Sequence, residues 1–141
     1  MSFRRSLLSL VALTAFAGSA LAGEAPTEGD TLANLQAAFN GESNASAKYA
    51  VFATKADEEG YGKAGSLFRA ASQAEKIHAA THARIITSLG AEPTAVISTP
   101  EPGTTAANLQ VAIDGESYER DTMYPRFIEI AQAEGNTAAV Q

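Results

Sequence analysis

The chain has no cysteine. That excludes a thiolate-ligated zinc or iron site, a thiol nucleophile and any disulfide. After the first 22 residues it has no apolar run long enough to cross a bilayer, which takes ~20 residues. Basic charge is scarce too: 10 Lys and Arg stand against 16 Asp and Glu. Such an acidic chain suits neither nucleic acid nor an anionic lipid surface. What remains is 141 residues, enough for one domain.

The N-terminus is read separately. Arg4 and Arg5 precede a short apolar run, Leu7 to Phe16, and Ala20-Leu21-Ala22 is a small-x-small cleavage signal. This pattern predicts a secretory signal peptide over 1–22, cleaved after Ala22, and hence a periplasmic or secreted protein with no membrane association after cleavage. The mature chain then carries 8 basic and 16 acidic residues, a net charge of −8. Residues 23–30 are polar and turn-rich and read as a flexible leader.

From Thr31, a plausible N-cap, apolar or small residues recur at 35, 39, 42, 46, 49, 53 and 56, which is helical spacing. Glu42 is the one charge on that stripe. Gly60 closes the helix. A second helix is expected over 61–89, with its stripe at 64, 67, 68, 71, 75, 78, 82, 85 and 89. The short break makes the two helices antiparallel neighbours. Residues 91–103 hold three of the five prolines and predict an extended crossover. Thr104 or Thr105 caps a third helix that runs to Glu134-Gly135. Asn136 can cap a fourth.

The chain repeats itself. Asn34-Leu35-Gln36 matches Asn108-Leu109-Gln110, and Gly41-Glu42-Ser43 matches Gly115-Glu116-Ser117, both at an offset of 74. Glu59-Gly60 matches Glu134-Gly135 at an offset of 75, so one residue is inserted in the third helix after Ser117. Pro125 lies in that interval. A mid-helix proline lacks a donor and clashes with the preceding turn, at a cost of ~3 kcal/mol. A one-residue π-bulge near 120–126 absorbs both the insertion and the proline.

Four acids fall on the inward stripes: Glu42, Glu75, Glu116 and Glu119. Ionised carboxylates are rarely buried unless paired or bound to metal. Glu75 and His78, three residues apart, share a helix face. A Glu on one helix and a Glu-x-x-His on its neighbour are half the ligand set of a carboxylate-bridged di-metal four-helix bundle. Such oxygen-rich sets suit iron or manganese better than zinc. Tyr49 and Tyr124 lie about two turns beyond Glu42 and Glu116 and can hydrogen-bond the ligand carboxylates or donate an electron. Gly41 and Gly115 suggest close helix approach beside the acids. His82 is read as a supporting or surface histidine rather than a ligand. Asn44-Ala45-Ser46 fits the N-glycosylation pattern but falls inside a helix and is discounted.

Three phrases, NLQAAFNGESNASAKYAVFATKADEEGY, LFRAASQAEKIHAATH and NLQVAIDGESYERDTMYPRF, resemble the rubrerythrin family over residues 31–141. The resemblance implies an all-α, ferritin-like four-helix bundle: two helical hairpins joined by a long crossover, with a non-haem di-iron centre that reduces hydrogen peroxide. It implies metal ligation by Glu42, Glu75, His78, Glu116 and Glu119, with Tyr49 and Tyr124 beside the site. Family members often carry a cysteine-ligated rubredoxin module. With no cysteine, this chain is expected to take electrons from an external donor. By the 75-residue offset, the family's fourth-helix Glu-x-x-His falls at about position 150, past Gln141. A truncated fourth helix, an open apolar side and a homodimer are therefore expected. Two functions stand: an exported rubrerythrin-like peroxidase, and a non-catalytic bundle with a single iron.

Overall fold

A computed structural model describes residues 30–141. The expected signal peptide, and all of the expected leader except Asp30, lie outside the described residues. Within them the chain is all helical: α1 (Thr31–Glu58), α2 (Gly62–Ser88), α3 (Thr105–Tyr118), a π-helical turn (Glu119–Met123), α4 (Tyr124–Ala133) and a single turn, α5 (Thr137–Val140).

Local chemistry explains the boundaries. Asp30, not Thr31, caps α1, its carboxylate accepting from the Leu32 and Ala33 N–H groups. Thr104 caps α3 through the Ala107 N–H, and Asn136 caps α5 through that of Ala139. Gly60, Gly90 and Gly135 end their helices at φ of 81°, 82° and 70°, a conformation that side chains with a Cβ rarely adopt.

The repeat brings a reciprocal tie. Glu59, at the end of α1, accepts from the Thr105 N–H and Oγ1 at the start of α3, at 2.8 and 2.7 Å. Glu134, at the end of α4, accepts from the Thr31 N–H at the start of α1, at 3.0 Å. Each places a carboxylate on the positive end of the other repeat's helix.

α1 and α2 form an antiparallel hairpin. Its seam on α2 is Gly65, Phe68, Ser72, Glu75, Ala79 and Ile86, all buried. This is narrower than the stripe read from the sequence: Leu67, His78 and Leu89 are exposed. Two helices in contact bury only a seam, and a broad face needs neighbours on both sides. At Gly65 an added Cβ would overlap the Asp57 carboxylate, which pairs with Arg69. The glycine therefore lets the start of α2 close on the end of α1. Gly41 and Gly115 have open space where a Cβ would stand, so the expected close helix approach at these two positions is corrected.

Two apolar clusters flank a polar layer. Tyr49, Phe52 and Phe68 pack their rings at centroid distances of 5.4–6.3 Å against Ala45, Ala53 and Ala56, and Leu109 and Ala112 of α3 cover them. Leu35, Ile85 and Ile86 make the other cluster, joined by Phe39 and by Ala139 of α5. Phe68 and Phe127 are buried, whereas Ile113 on α3 is 58% exposed, so the open apolar side is confined to part of the expected stripe.

The crossover is strapped to α1. Gln36, Asn40 and Asn44, one turn apart, read the backbone of residues 92–98 through five hydrogen bonds of 2.6–3.1 Å. An extended chain has no internal partners for its amides, and the amide side chains supply them. The Asn44 amide is fully engaged, in this strap and with the Asn40 carbonyl of α1.

Candidate metal centre

Between the apolar clusters, α1 and α2 are pinned by a pair of buried serines. Ser46 Oγ donates to the Ser72 carbonyl at 2.9 Å, and Ser72 Oγ donates to the Ser46 carbonyl at 2.8 Å. Small side chains that satisfy each other keep the helices close next to the acids. The sequence marked Ser46 only as a small residue on the stripe.

One turn before Ser46 stands Glu42, 1% exposed, and one turn after Ser72 stands Glu75, 3% exposed. His78 Nδ1 lies 2.8 Å from Glu75 Oε2. Ligand atoms of Glu42, Glu75 and His78 all lie within 4.8 Å of one another. The His78 ring is 56% exposed, so the group opens to solvent on that side. Glu42 Oε2 is buried and has no hydrogen-bond partner among the described residues. A buried carboxylate oxygen without a donor is costly unless a cation or a proton meets it.

The second repeat brings two more acids to the same layer. Glu116 is reached by Tyr49, whose hydroxyl donates to Glu116 Oε1 at 2.6 Å. Glu119 feels the charges of both Glu42 and Glu116. The Tyr124 hydroxyl donates to Glu42 Oε1. The two tyrosines thus exchange partners: each binds the acid of the other repeat. Glu116 itself is exposed, unlike its repeat mate Glu42.

The electrostatics follow from packing several acids together, with Lys48 a weaker opposing charge on Glu119. Burial, and then the Glu75 neighbour, pushes the Glu42 carboxyl up to about 8. Burial, and then the Glu42 and Glu116 charges, pushes Glu119 up to about 7. Burial likewise raises Glu75, with Glu116 and Glu119 adding to it. Both phenols are raised, first by burial and then by the carboxylate each one binds. The donor set fits a hard cation: two buried carboxylates and an imidazole converge, one buried oxygen is unpartnered, and the carboxylates outnumber the one nearby lysine, Lys48.

The rubrerythrin family model matches residues 33–141. Nigerythrin of Nitratidesulfovibrio vulgaris is 43% identical over 115 residues, covering 79% of this chain and 56% of that protein. The chain belongs to the rubrerythrin family. Rubrerythrin of Porphyromonas gingivalis is 37% identical over 102 residues, covering 72% of this chain and 51% of that protein. The structure of fully reduced, all-ferrous nigerythrin superposes with a TM-score of 0.77 at 37% identity, covering 99% of this chain and 69% of that one. The chain spans about half the length of the curated relatives it matches. These 141 residues hold the ferritin-like part, and with no cysteine they contain no rubredoxin module. Rubrerythrins are di-iron proteins, and the Glu42, Glu75 and His78 group is where this chain can hold metal.

The structure brings Glu42, Glu75, Glu116 and Glu119 to one layer, with His78 at its solvent edge. The sequence left open the place of His82, whose ring packs on Tyr124 with its Nε2 3.0 Å from the hydroxyl. Its spacing of seven from Glu75, two turns along the same helix, is the signal that puts it beside the acids.

Proposed function

We propose that this protein is an exported rubrerythrin-type oxidoreductase that reduces hydrogen peroxide with electrons from an external donor. The observation that carries the reading is the convergence of Glu42, Glu75 and His78, with the unpartnered Glu42 Oε2 among them. These three would hold the first metal position. Glu116 and Glu119 would complete a shared carboxylate layer. Iron is the expected metal, and the same oxygen-rich set accommodates manganese.

When bound, a ferrous pair supplies the two electrons that reduce hydrogen peroxide to two waters. The chain's own residues do the rest. Tyr49 and Tyr124 each tie one oxygen of an acid, Glu116 Oε1 and Glu42 Oε1, which fixes the direction of the other oxygen. Their raised phenols stay protonated, so each keeps a proton at the edge of the site. The Tyr49–Phe52–Phe68 cluster closes one side of the layer to water. In this reading electrons come from an external donor, as these 141 residues contain no cysteine to ligate a redox centre. The signal-like segment at 1–22 supports the exported reading, in the periplasm or outside the cell, and a homodimer is the expected assembly.

Anaerobic ferrous loading followed by peroxide tests the reading. Two irons per chain, an oxo-bridged diferric absorbance and stoichiometric peroxide loss support it. A second reading is favoured by two observations: among the described residues only three ligand atoms converge closely, and Glu116 is exposed. It makes the protein a non-catalytic bundle with a single iron. One iron per chain and no peroxide turnover would select it.

A further inference from the structure

His82 has a role that neither the ligand set nor the tyrosine pairing requires. It sits one turn after His78 on α2, mostly buried, with its ring stacked on that of Tyr124 at 6.0 Å and 20°. Its Nε2 is 3.0 Å from the Tyr124 hydroxyl but 4.0 Å from Glu42 Oε1. It therefore reaches Glu42 only through the phenol. A phenol has one proton, and Tyr124 gives it to Glu42 Oε1. The bond from His82 must then be donated by Nε2–H. Nδ1, buried and without a partner among the described residues, is left as a lone pair rather than as an unpaired N–H. The repeat mate differs: among the described residues the Tyr49 hydroxyl has one partner, Glu116.

We propose that His82 is a positioning residue: its Nε2–H donates to the Tyr124 hydroxyl, holds that hydroxyl on Glu42 Oε1, and so leaves Glu42 Oε2 as the free ligand oxygen. Only one of the two tyrosine–glutamate pairs has this support. In a loaded site Glu42 would therefore be set more firmly than Glu116. For its iron arm alone, the inference rests on the metal-binding reading above.

The first test uses the full, metal-free chain. Imidazole 15N NMR should show His82 with a proton on Nε2. The ultraviolet Raman doublet of Tyr124 should report a hydroxyl that both donates and accepts, and should change in His82→Leu but not in His82→Gln, which keeps a donor. An Nδ1–H tautomer with no proton on Nε2, or an unchanged doublet in His82→Leu, overturns the proposal. The second test is anaerobic titration with ferrous ion. His82→Leu should weaken binding about 10-fold and His82→Gln by no more than about 3-fold. In a Tyr124→Phe background His82→Leu should cost nothing further. An equal loss in both backgrounds means that His82 acts by packing alone, and the proposal fails. If the wild type takes up no iron, the metal reading fails, and the tautomer and doublet still decide whether His82 holds Tyr124. Where His82→Leu does not fold, the wild-type tautomer and His82→Gln carry the test.

Discussion

The two repeats begin with the same residues and end in different environments. In the first, α1 runs unbroken for 28 residues and pairs with α2 along a buried seam. In the second, α3 buries only Thr105 and Asn108 fully, and a π turn separates it from α4. The acid that is sealed in the first repeat, Glu42, has an exposed counterpart in Glu116. The π turn shows why identical motifs do not need identical helices. Tyr49 follows Glu42 by seven residues, close to two turns, whereas Tyr124 follows Glu116 by eight. In a regular α-helix that extra residue would swing Tyr124 by about 100°. The wider turn absorbs it: the Tyr124 N–H bonds to the Glu119 carbonyl five residues back, and Pro125 needs no donor there. Both tyrosines then meet the acid of the opposite repeat.

If the first repeat carries the core, the largest effect should come from emptying it. Phe68→Ala should cost ~3–5 kcal/mol in chemical denaturation, while Ile113→Ser on α3 should stay within about 0.5 kcal/mol. Comparable losses from the two would erase the contrast between the halves.

The acid layer should make the metal-free protein less stable as pH rises. Glu42 and Glu119 have carboxyls raised above their ordinary values. The folded state thus binds more protons than the unfolded state between about pH 4.5 and 8. Their contribution is whole below about pH 4.5 and lost as pH passes through 7 and 8. The loss should be on the order of 2–4 kcal/mol across that window. His82, lowered by burial and then by His78, works in the opposite sense below about pH 6.5. Unfolding midpoints of the metal-free chain measured from pH 5 to 8 should fall. A flat or rising profile would mean that a counter-charge already sits in the layer.

Metal binding should separate the repeats next. Glu42→Gln should weaken ferrous binding about 100-fold or more, since it removes a buried ligand charge, and Glu116→Gln by about 10-fold. Equal losses in an anaerobic titration would show that both repeats hold metal alike.

The smallest effects should be the symmetric ones. Glu59→Gln and Glu134→Gln each remove a charge from the other repeat's helix start, and each should lower the unfolding midpoint only slightly. Here the halves should agree. A large difference between the two would mean that the reciprocal tie is not shared evenly.

Much of this was legible in the residues. The 3.6-residue spacing, the glycines at 60, 90 and 135, and the offset of 74 turning to 75 mark the helices, their ends and the inserted turn. Each depends on neighbours within one or two turns, and so does the shared face of Glu75 and His78. The N-cap shifted by one, to Asp30, because either side chain can cap and only the path of the chain chooses. The width of the buried face on α2 was not legible, because periodicity names a face and not how many helices cover it. The same holds for Gly41 and Gly115, where open space replaced the expected close contact.

By itself, then, the sequence determined an all-helical repeated unit, its π turn, and which acids face one layer, because local hydrogen bonding and side-chain period fix these. Tertiary structure decided the rest. That Tyr49 serves Glu116 and Tyr124 serves Glu42, that Glu59 and Glu134 cap each other's partner helices, and that His82 rests on Tyr124 all join residues between 42 and 103 positions apart. A helix face tells where a side chain points, and only the packed neighbour tells which oxygen it meets.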